Sequence, residues 1–270
     1  CVQNCADDDL DANLRETVDL TREARGAGAD LICLPEYFHC IEANDELTSN
    51  NAMPERGHPV LAVYQPLARE LGCWILLGSI SVKLADGKVN NRSYLLDPDG
   101  NVVATYNKVH LFDVTLTDGE RYSESASVTP GTQAIIAPTP WGNLGMTVCY
   151  DVRFPYLYRM LAKFGASFIS VPAAFTATTG KRHWHVLLRA RAIETGCYVF
   201  APAQCGVHST GRATYGHSLI IDPWGGVIAD CGDEPGFVIA SIDPEQVESV
   251  RSMIPTLIHG SEVTPPRTNI

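Results

Sequence analysis

A thiol, an acid and an amine each follow an apolar segment of this sequence. The segments 143–148, 30–35 and 101–107 end directly before Cys149, Glu36 and Lys108. Apolar runs of this length are typical of buried strands, and α/β folds bind ligands outside the carboxyl ends of their strands. We therefore expect the three side chains to meet at one rim and to form the site of an enzyme.

Cys149 is the candidate nucleophile. A free thiol has a pKa near 8.5 and needs a base or a nearby positive charge to attack a carbonyl carbon at neutral pH. Glu36 can supply that base. The attack builds negative charge on the carbonyl oxygen or nitrile nitrogen, which the Lys108 ammonium group and the backbone N–H of Tyr150 are placed to stabilise.

The elements that position these residues alternate between helix and strand. We predict helices over 8–24, 59–71, 154–164 and 184–195, and further strands over 73–82, 166–171, 198–202, 218–221 and 227–229. Turn signals at 86–87 and 97–100 divide three extended runs, which predicts an antiparallel meander in this part of the chain. The alternation favours one α/β domain over 1–270, with a C-terminal arm at about 255–270. We also expect a few residues to precede Cys1.

Three motifs in this chain resemble those of the carbon–nitrogen hydrolase (nitrilase) superfamily, in the family's order and over essentially the whole chain. They are Leu34-Pro35-Glu36, the run Tyr106-Asn107-Lys108-Val109-His110-Leu111-Phe112-Asp113, and the run Val148-Cys149-Tyr150-Asp151-Val152-Arg153-Phe154-Pro155. The resemblance implies an αββα sandwich, in which two mixed β-sheets are flanked by helices.

The same resemblance assigns roles to the matching residues. It implies that Glu36 is the general base, that Lys108 stabilises the tetrahedral intermediate and that Cys149 is the nucleophile. A second glutamate orders the site in the family, and Glu124 matches its position better than Glu120. We expect no cofactor.

Within the family, the motif around Cys149 differs from the Cys-Trp-Glu pattern of true nitrilases and resembles the Nit-type amidases. This resemblance extends through 183–194, 203–206 and 215–218. It implies a small linear ω-amide substrate that carries a carboxylate, such as deaminated glutathione or a similar 2-oxo amide. ω-Amidase, aliphatic amidase, N-carbamoyl hydrolase and nitrilase activities remain alternatives within the family.

Arginine is suited to binding such a carboxylate because its guanidinium group can donate two parallel hydrogen bonds. The candidates are Arg153, Arg182 and Arg212, and His183 is a further candidate for substrate binding. Arg182 stands where the family commonly has a small residue, and His185 stands where a glutamate often follows the tryptophan. Both departures are expected to affect the substrate pocket.

Two other hypotheses about the chemistry stay open. A thiol–imidazole pair could join Cys149 to His110 or His217, because such partners meet in space rather than in sequence. A relative without catalytic activity could bind a small amide or a protein. We expect no metal site at His183 and His185, because residues two apart on a helix start face different directions and lack an evident third ligand.

Composition excludes several classes of partner. The net charge of −11 disfavours nucleic acid and anionic membranes, and no apolar run is long enough to span a bilayer. The nine cysteines are odd in number and several lie in apolar runs, which favours free thiols and a cytoplasmic location. The family resemblance implies a homodimer or larger homo-oligomer that pairs through the helix after Cys149 and the helix holding 187–193.

Overall fold

The computed structural model describes residues 1–42, 47, 51–116, 119, 121–261 and 263–264. Its helices are α1 Leu10–Gly26, α2 Pro59–Leu71, α3 Pro155–Lys163, α4 Ala177–Thr195 and α5 Glu245–Met253. Its strands are β1 Val2–Gln3, β2 Leu31–Cys33, β3 Trp74–Lys83, β4 Val89–Leu96, β5 Val102–Asn107, β6 Asp113–Thr115, β7 Arg121–Ser123, β8 Ile135–Thr139, β9 Gly142–Met146, β10 Ala166–Ser170, β11 Tyr198–Ala201, β12 Cys205–Val207, β13 Ala213–Tyr215, β14 Leu219–Ile221, β15 Val227–Asp230 and β16 Gly236–Phe237.

Two mixed sheets form the centre of the fold. One has the order β2-β3-β4-β5, and only its β2–β3 pair is parallel. The other has the order β15-β14-β11-β10-β9-β8, with parallel pairs β9–β10 and β10–β11 and antiparallel pairs elsewhere. Short two-stranded pairings join β1 to β16, β6 to β7 and β12 to β13.

Alternation along the strands decides which layer each side chain enters. In β3, Leu76 points into the core between the two sheets, whereas Ile75 and Leu77 point to the opposite face. Successive side chains of a strand point to opposite faces, so one sheet can serve two cores. The four-stranded sheet therefore packs against the six-stranded sheet on one face and against helices on the other.

Helices cover both outer faces of this double sheet. The core that includes Ile75 and Leu77 is completed by Leu14 of α1 and Tyr64 of α2. The core between the sheets is continuous with the layer on the other side of the six-stranded sheet, where Leu161 of α3 is buried. These layers confirm the αββα sandwich predicted from the family resemblance.

The predicted start of α4 at residue 184 is wrong, because the helix begins at Ala177. Its first turns contain Gly180 and two threonines, which have low helix propensity, so sequence preference alone does not predict a helix there. Packing explains the difference: a Cβ at Gly180 would lie 2.3 Å from the Cβ of Tyr215. The glycine thus allows β13 to lie directly against this part of α4.

Candidate active site

Lys108 lies between two glutamates. Its Nζ donates to Glu36 Oε1 at 2.9 Å and to Glu124 Oε2 at 2.8 Å, with Glu124 Oε1 at 3.1 Å. Lys108 and Glu36 are each only 2% exposed. Two carboxylates around one buried ammonium group compensate its charge and fix its position, as a buried charge requires.

Cys149 faces the same group of side chains. The charges of Glu36 and Lys108 both act on its thiol, and Glu36 Oε2 accepts from the backbone N–H of Ala174 at 2.8 Å. Cys149 has a φ of 48°, in the left-handed region that non-glycine residues seldom adopt. Strained backbone of this kind persists where surrounding structure holds it, and it is common at functional sites.

Asp151 holds the turn that carries Cys149. This fully buried carboxylate accepts from the backbone N–H of Val148 at 2.9 Å, from that of His110 at 3.0 Å and from the Tyr106 hydroxyl at 2.7 Å. The N–H of Cys149 itself donates to Pro172 O at 2.8 Å. The backbone before and after the thiol is therefore anchored to both sheets.

The sequence-based prediction that all three residues directly follow strands holds only for Lys108. β5 ends at Asn107, but β2 ends at Cys33 and β9 ends at Met146, so Glu36 and Cys149 each lie three residues beyond their strand. Those extra residues carry the side chains from the strand ends into the space between the sheets.

Gly78 allows the segment before Glu36 to approach β3. A Cβ at position 78 would lie 1.9 Å from Leu34 O and 2.3 Å from Pro35 O, so no other residue fits there without a shift of the backbone. Just beyond this contact, Glu36 pairs with Ser79 in an isolated bridge. The close approach explains how Glu36 reaches the site after so short a strand.

Burial and the neighbouring charges fix the protonation of the resting site. Burial raises the pKa of the Cys149 thiol well above its usual value, and the Glu36 carboxylate raises it further. Burial alone would raise the pKa of Glu36, but the Lys108 charge and several hydrogen bonds outweigh it and lower that pKa. Burial opposes the charge of Lys108, but Glu124 and Glu36 raise its pKa well above the usual value. The resting site thus holds a neutral thiol, a Glu36 carboxylate and a Lys108 ammonium group.

Asn91 is a site residue that the sequence analysis missed. Its Nδ2 donates to Glu36 Oε1 at 2.9 Å and to Glu124 Oε1 at 3.1 Å. Its backbone O accepts from the N–H of Lys108 at 2.9 Å. The available signal was the pair of asparagines Asn90-Asn91, which are both buried within strand β4.

A cavity of about 720 Å³ opens onto these residues. Glu36, Lys108, Glu124, Cys149 and Tyr150 all line it. Its other walls include basic, aromatic and hydroxyl side chains, namely Arg121, Arg212, His39, His58, Tyr37, Phe112, Tyr122, Phe175, Thr176 and Thr179. A cavity of this size in which polar groups converge on a reactive cluster is typical of a small-molecule site.

The three arginine candidates have different positions. Arg212 lines the cavity, donates to Ala174 O at 2.7 Å and lies 5.4 Å from the centre of the Tyr122 ring. Arg153 lies behind the cavity wall, 5.1 Å from the centre of the Phe175 ring. Arg182 was expected to affect the substrate pocket, but it does not line the cavity. The helix α4 turns its side chain to the outer surface, where it is exposed.

His183 also lies outside the cavity lining. Its Nδ1 lies 3.3 Å from a guanidinium nitrogen of Arg153. The alternative hypothesis pairs Cys149 with His110 or His217, but both imidazoles contact other residues. His110 Nδ1 lies 2.6 Å from Asp151 Oδ1, and His217 Nδ1 lies 2.9 Å from Asp230 Oδ1. Glu120, the weaker candidate for the second glutamate, lies outside the described residues.

Comparisons with known proteins agree with this architecture. The family model for carbon–nitrogen hydrolases matches residues 1–252. The chain is 45% identical over 255 residues to deaminated glutathione amidase of Synechocystis sp. (strain PCC 6803 / GT-S), covering 93% of each chain. It is 44% identical over 257 residues to deaminated glutathione amidase of Homo sapiens, covering 93% of this chain and 78% of the human protein.

Solved structures show the same similarity. The NitFhit protein of C. elegans superposes with a TM-score of 0.90 at 38% identity, and the match covers 96% of this chain and 63% of NitFhit. This chain therefore spans less than two thirds of that protein's length. Saccharomyces cerevisiae Nit3, a member of branch 10 of the nitrilase superfamily, superposes with a TM-score of 0.85 at 29% identity, covering 94% of this chain and 92% of Nit3.

Proposed function

We propose a specific amidase reaction for this chain, which belongs to the carbon–nitrogen hydrolase family. The chain is a carbon–nitrogen hydrolase of the amidase type, and the proposed substrate is deaminated glutathione. The cluster of Glu36, Lys108 and Cys149 in the cavity wall is the observation that carries the proposal, because it brings a base, a cation and a nucleophile together.

In the proposed first half-reaction, the Cys149 sulfur attacks the amide carbon while its proton passes to Glu36. Lys108 and the backbone N–H of Tyr150 stabilise the negative charge that develops on the amide oxygen. Tyr150 lies in the first turn of a 3₁₀ helix, where N–H groups lack acceptors within the helix. Glu36 then donates the proton to the departing amine, which leaves a thioester on Cys149.

In the second half-reaction, water replaces the amine. Glu36 accepts a proton from that water as it attacks the thioester carbon, and the proton returns to the sulfur when the acid product departs. Glu124 and Asn91 hold Lys108 and Glu36 in place during both halves. This division gives the two glutamates different roles: Glu36 moves protons and Glu124 positions the cation.

The choice of substrate rests on the relatives and on the cavity. Deaminated glutathione has a carboxylate at each end, and Arg121 and Arg212 line the cavity. Within the described residues, the buried Nε of Arg212 has no hydrogen-bond partner. An unpaired guanidinium N–H is costly to bury, so a substrate carboxylate at Arg212 would satisfy it.

Paired substrates test this choice. Purified enzyme is assayed with deaminated glutathione and with an analogue whose carboxylates are converted to neutral amides. We expect kcat/KM to be at least ~100-fold higher for the acid, the cost of leaving a buried charged donor unpaired. Equal efficiency for the two substrates, or preference for a neutral nitrile, would instead favour a general aliphatic amidase or a nitrilase.

We also propose a homodimer that pairs through α3 and α4. Large apolar side chains are exposed on these helices or directly after α3, namely Tyr156, Met160, Phe164, Val186 and Ile193. Exposed apolar patches of this kind commonly mark protein interfaces. Phe164→Asp is expected to shift the protein to a smaller species in size-exclusion chromatography, and an unchanged elution volume would argue against this interface.

A cytoplasmic location remains part of the proposal and is supported by the nine free thiols. As for membranes, none of the helices in the described part of the chain has the length and apolar character to cross one.

A further inference from the structure

Two imidazoles and a carboxylate meet away from the cavity. His185 lies on α4, His217 lies between β13 and β14, and Asp230 ends β15. Asp230 Oδ2 is 3.2 Å from His185 Nε2 and 3.1 Å from His217 Nδ1. The candidate ligand atoms of all three residues lie within 4.8 Å of one another.

These separations suit a metal ion. Zinc bonds of ~2.0–2.1 Å in a tetrahedron place neighbouring ligand atoms about 3.3 Å apart. The two nitrogen-to-oxygen distances in the cluster are close to that value. A set of two imidazoles and one carboxylate favours zinc over magnesium or calcium, which prefer sites made of oxygen atoms.

Hydrogen bonds outside the cluster orient its ligands. The far nitrogen of His217, Nε2, lies 2.9 Å from Asp233 Oδ1, and the N–H of Gly232 donates to Asp230 Oδ1 at 2.9 Å. A carboxylate that accepts the second N–H of a histidine is the usual support of a histidine metal ligand, since it leaves the other nitrogen free to bind metal. His217 Nδ1 is the nitrogen that faces His185 and Asp230.

The backbone also holds His217 in place. Its φ of 54° is unusual for a residue other than glycine. Its N–H donates to Gly232 O at 2.7 Å, its carbonyl accepts from Trp184 Nε1 at 2.8 Å, and its ring stacks on Tyr215. A side chain fixed in this way loses little further freedom when it binds an ion.

We propose that His185, His217 and Asp230 bind one Zn²⁺ ion, with water in the fourth position. The spacing of His183 and His185 along the chain argues against a metal at that pair, and no third ligand is evident near them in sequence. The fold changes the partners: His183 faces Arg153, whereas His185 meets residues 32 and 45 positions further along the chain. The proposed zinc site is independent of the amidase reaction.

Zinc binding by matched variants tests the proposal. Metal-free protein is titrated with Zn²⁺, and bound zinc is measured by equilibrium dialysis. His185→Gln, Asp230→Asn and His217→Asn each remove one ligand, and asparagine tolerates the left-handed backbone at 217. His259→Gln is the control because it removes an exposed histidine outside the cluster. Thiols can also bind zinc, but all of these variants keep all nine cysteines.

We expect wild type and His259→Gln to bind one more equivalent of zinc than each ligand variant. Asp233→Asn should keep the site but weaken it by roughly 10- to 100-fold, the usual effect of losing a supporting carboxylate. Zinc should raise the Tm of the wild type more than that of the ligand variants, and their Tm without metal shows whether they fold. Equal stoichiometry and affinity in wild type and a folded ligand variant would overturn the proposal, as would a wild type that binds no zinc.

Discussion

The Lys108 ammonium group lies 2.9 Å from Glu36 Oε1, although 72 positions separate the two residues. They also belong to opposite edges of the four-stranded sheet, since Lys108 follows β5 and Glu36 lies beyond β2. Asn91 on the intervening strand β4 donates to the same glutamate oxygen. The sheet thus brings a cation and a base together across its full width, next to a thiol supplied by the other sheet.

The first prediction concerns Glu36 as the base. Glu36→Gln keeps the shape of the side chain but removes its ability to accept a proton from the Cys149 thiol. We expect kcat to fall by roughly 10²- to 10⁴-fold, the usual contribution of general acid–base catalysis. Steady-state kinetics with deaminated glutathione measures this. Near wild-type activity of Glu36→Gln, together with an inactive His110→Ala or His217→Ala, would support the thiol–imidazole pair instead.

The second prediction concerns Asn91 as a positioning residue. Asn91→Ala removes the hydrogen bonds to Glu36 and Glu124, and a hydrogen bond to a charged group contributes ~1.5–3 kcal/mol. We expect kcat to fall by roughly 10- to 100-fold with a smaller change in KM. Asn90→Ala is the matched control, because the neighbouring amide donates to Thr129 O on the other side of the strand. Equal losses in both variants would indicate a general structural effect.

The third prediction separates two arginines. Arg212→Met should lower kcat/KM for deaminated glutathione by about 100-fold, because a buried guanidinium–carboxylate hydrogen bond is lost. Its effect on a neutral amide should be much smaller. Arg182→Met should leave both substrates nearly unchanged, since Arg182 is exposed and lies outside the cavity lining. A selective loss in the Arg182 variant would restore the sequence-based expectation for that residue.

The fourth prediction concerns pH and His39. Burial and, to a smaller extent, the nearby His58 together lower the pKa of His39 from an ordinary value of 6.5 to about 3. The unfolded chain therefore binds a proton between these values that the folded chain does not. The contribution of the neutral His39 imidazole to the free energy of unfolding is therefore complete above pH 6.5, and it is lost as the pH falls toward 3.

This linkage amounts to about 1.4 kcal/mol per pH unit within that window. Between about pH 7 and about pH 5, the wild type should lose roughly 2 kcal/mol more unfolding free energy than His39→Gln. Urea denaturation at the two pH values measures the difference. His259→Gln is the control and should follow the wild type, whereas parallel pH slopes for wild type and His39→Gln would contradict a neutral buried imidazole.

Local patterns predicted much of the fold. The helix predicted over 59–71 has the same ends as the observed α2, Pro59–Leu71. The start of α4 was wrong because the packing of Gly180 against Tyr215 outweighs local propensity. That contact joins residues 35 positions apart, so no pattern along the chain reports it.

Some residues of the candidate site could likewise be predicted from the sequence, and others could not. Motifs identified Glu36, Lys108, Glu124 and Cys149, and the structure brings these four together. Their roles remain proposals. Asn91 and the cluster around His217 depend on pairings across strands and layers, which residue type and spacing do not encode. Arg182 was singled out from the sequence but lies outside the cavity lining. A departure from the family's sequence pattern does not reveal which way a helical side chain points.

The most direct test of the account is a covalent intermediate on Cys149. Enzyme mixed with excess deaminated glutathione is quenched with acid within the first turnovers and examined by intact-protein and peptide mass spectrometry. The account predicts a 2-oxoglutaryl thioester on the peptide that contains Cys149, and neither adduct nor turnover in Cys149→Ala, whose Tm should stay near that of the wild type. Substantial turnover by Cys149→Ala, or an acyl group on another residue, would contradict it.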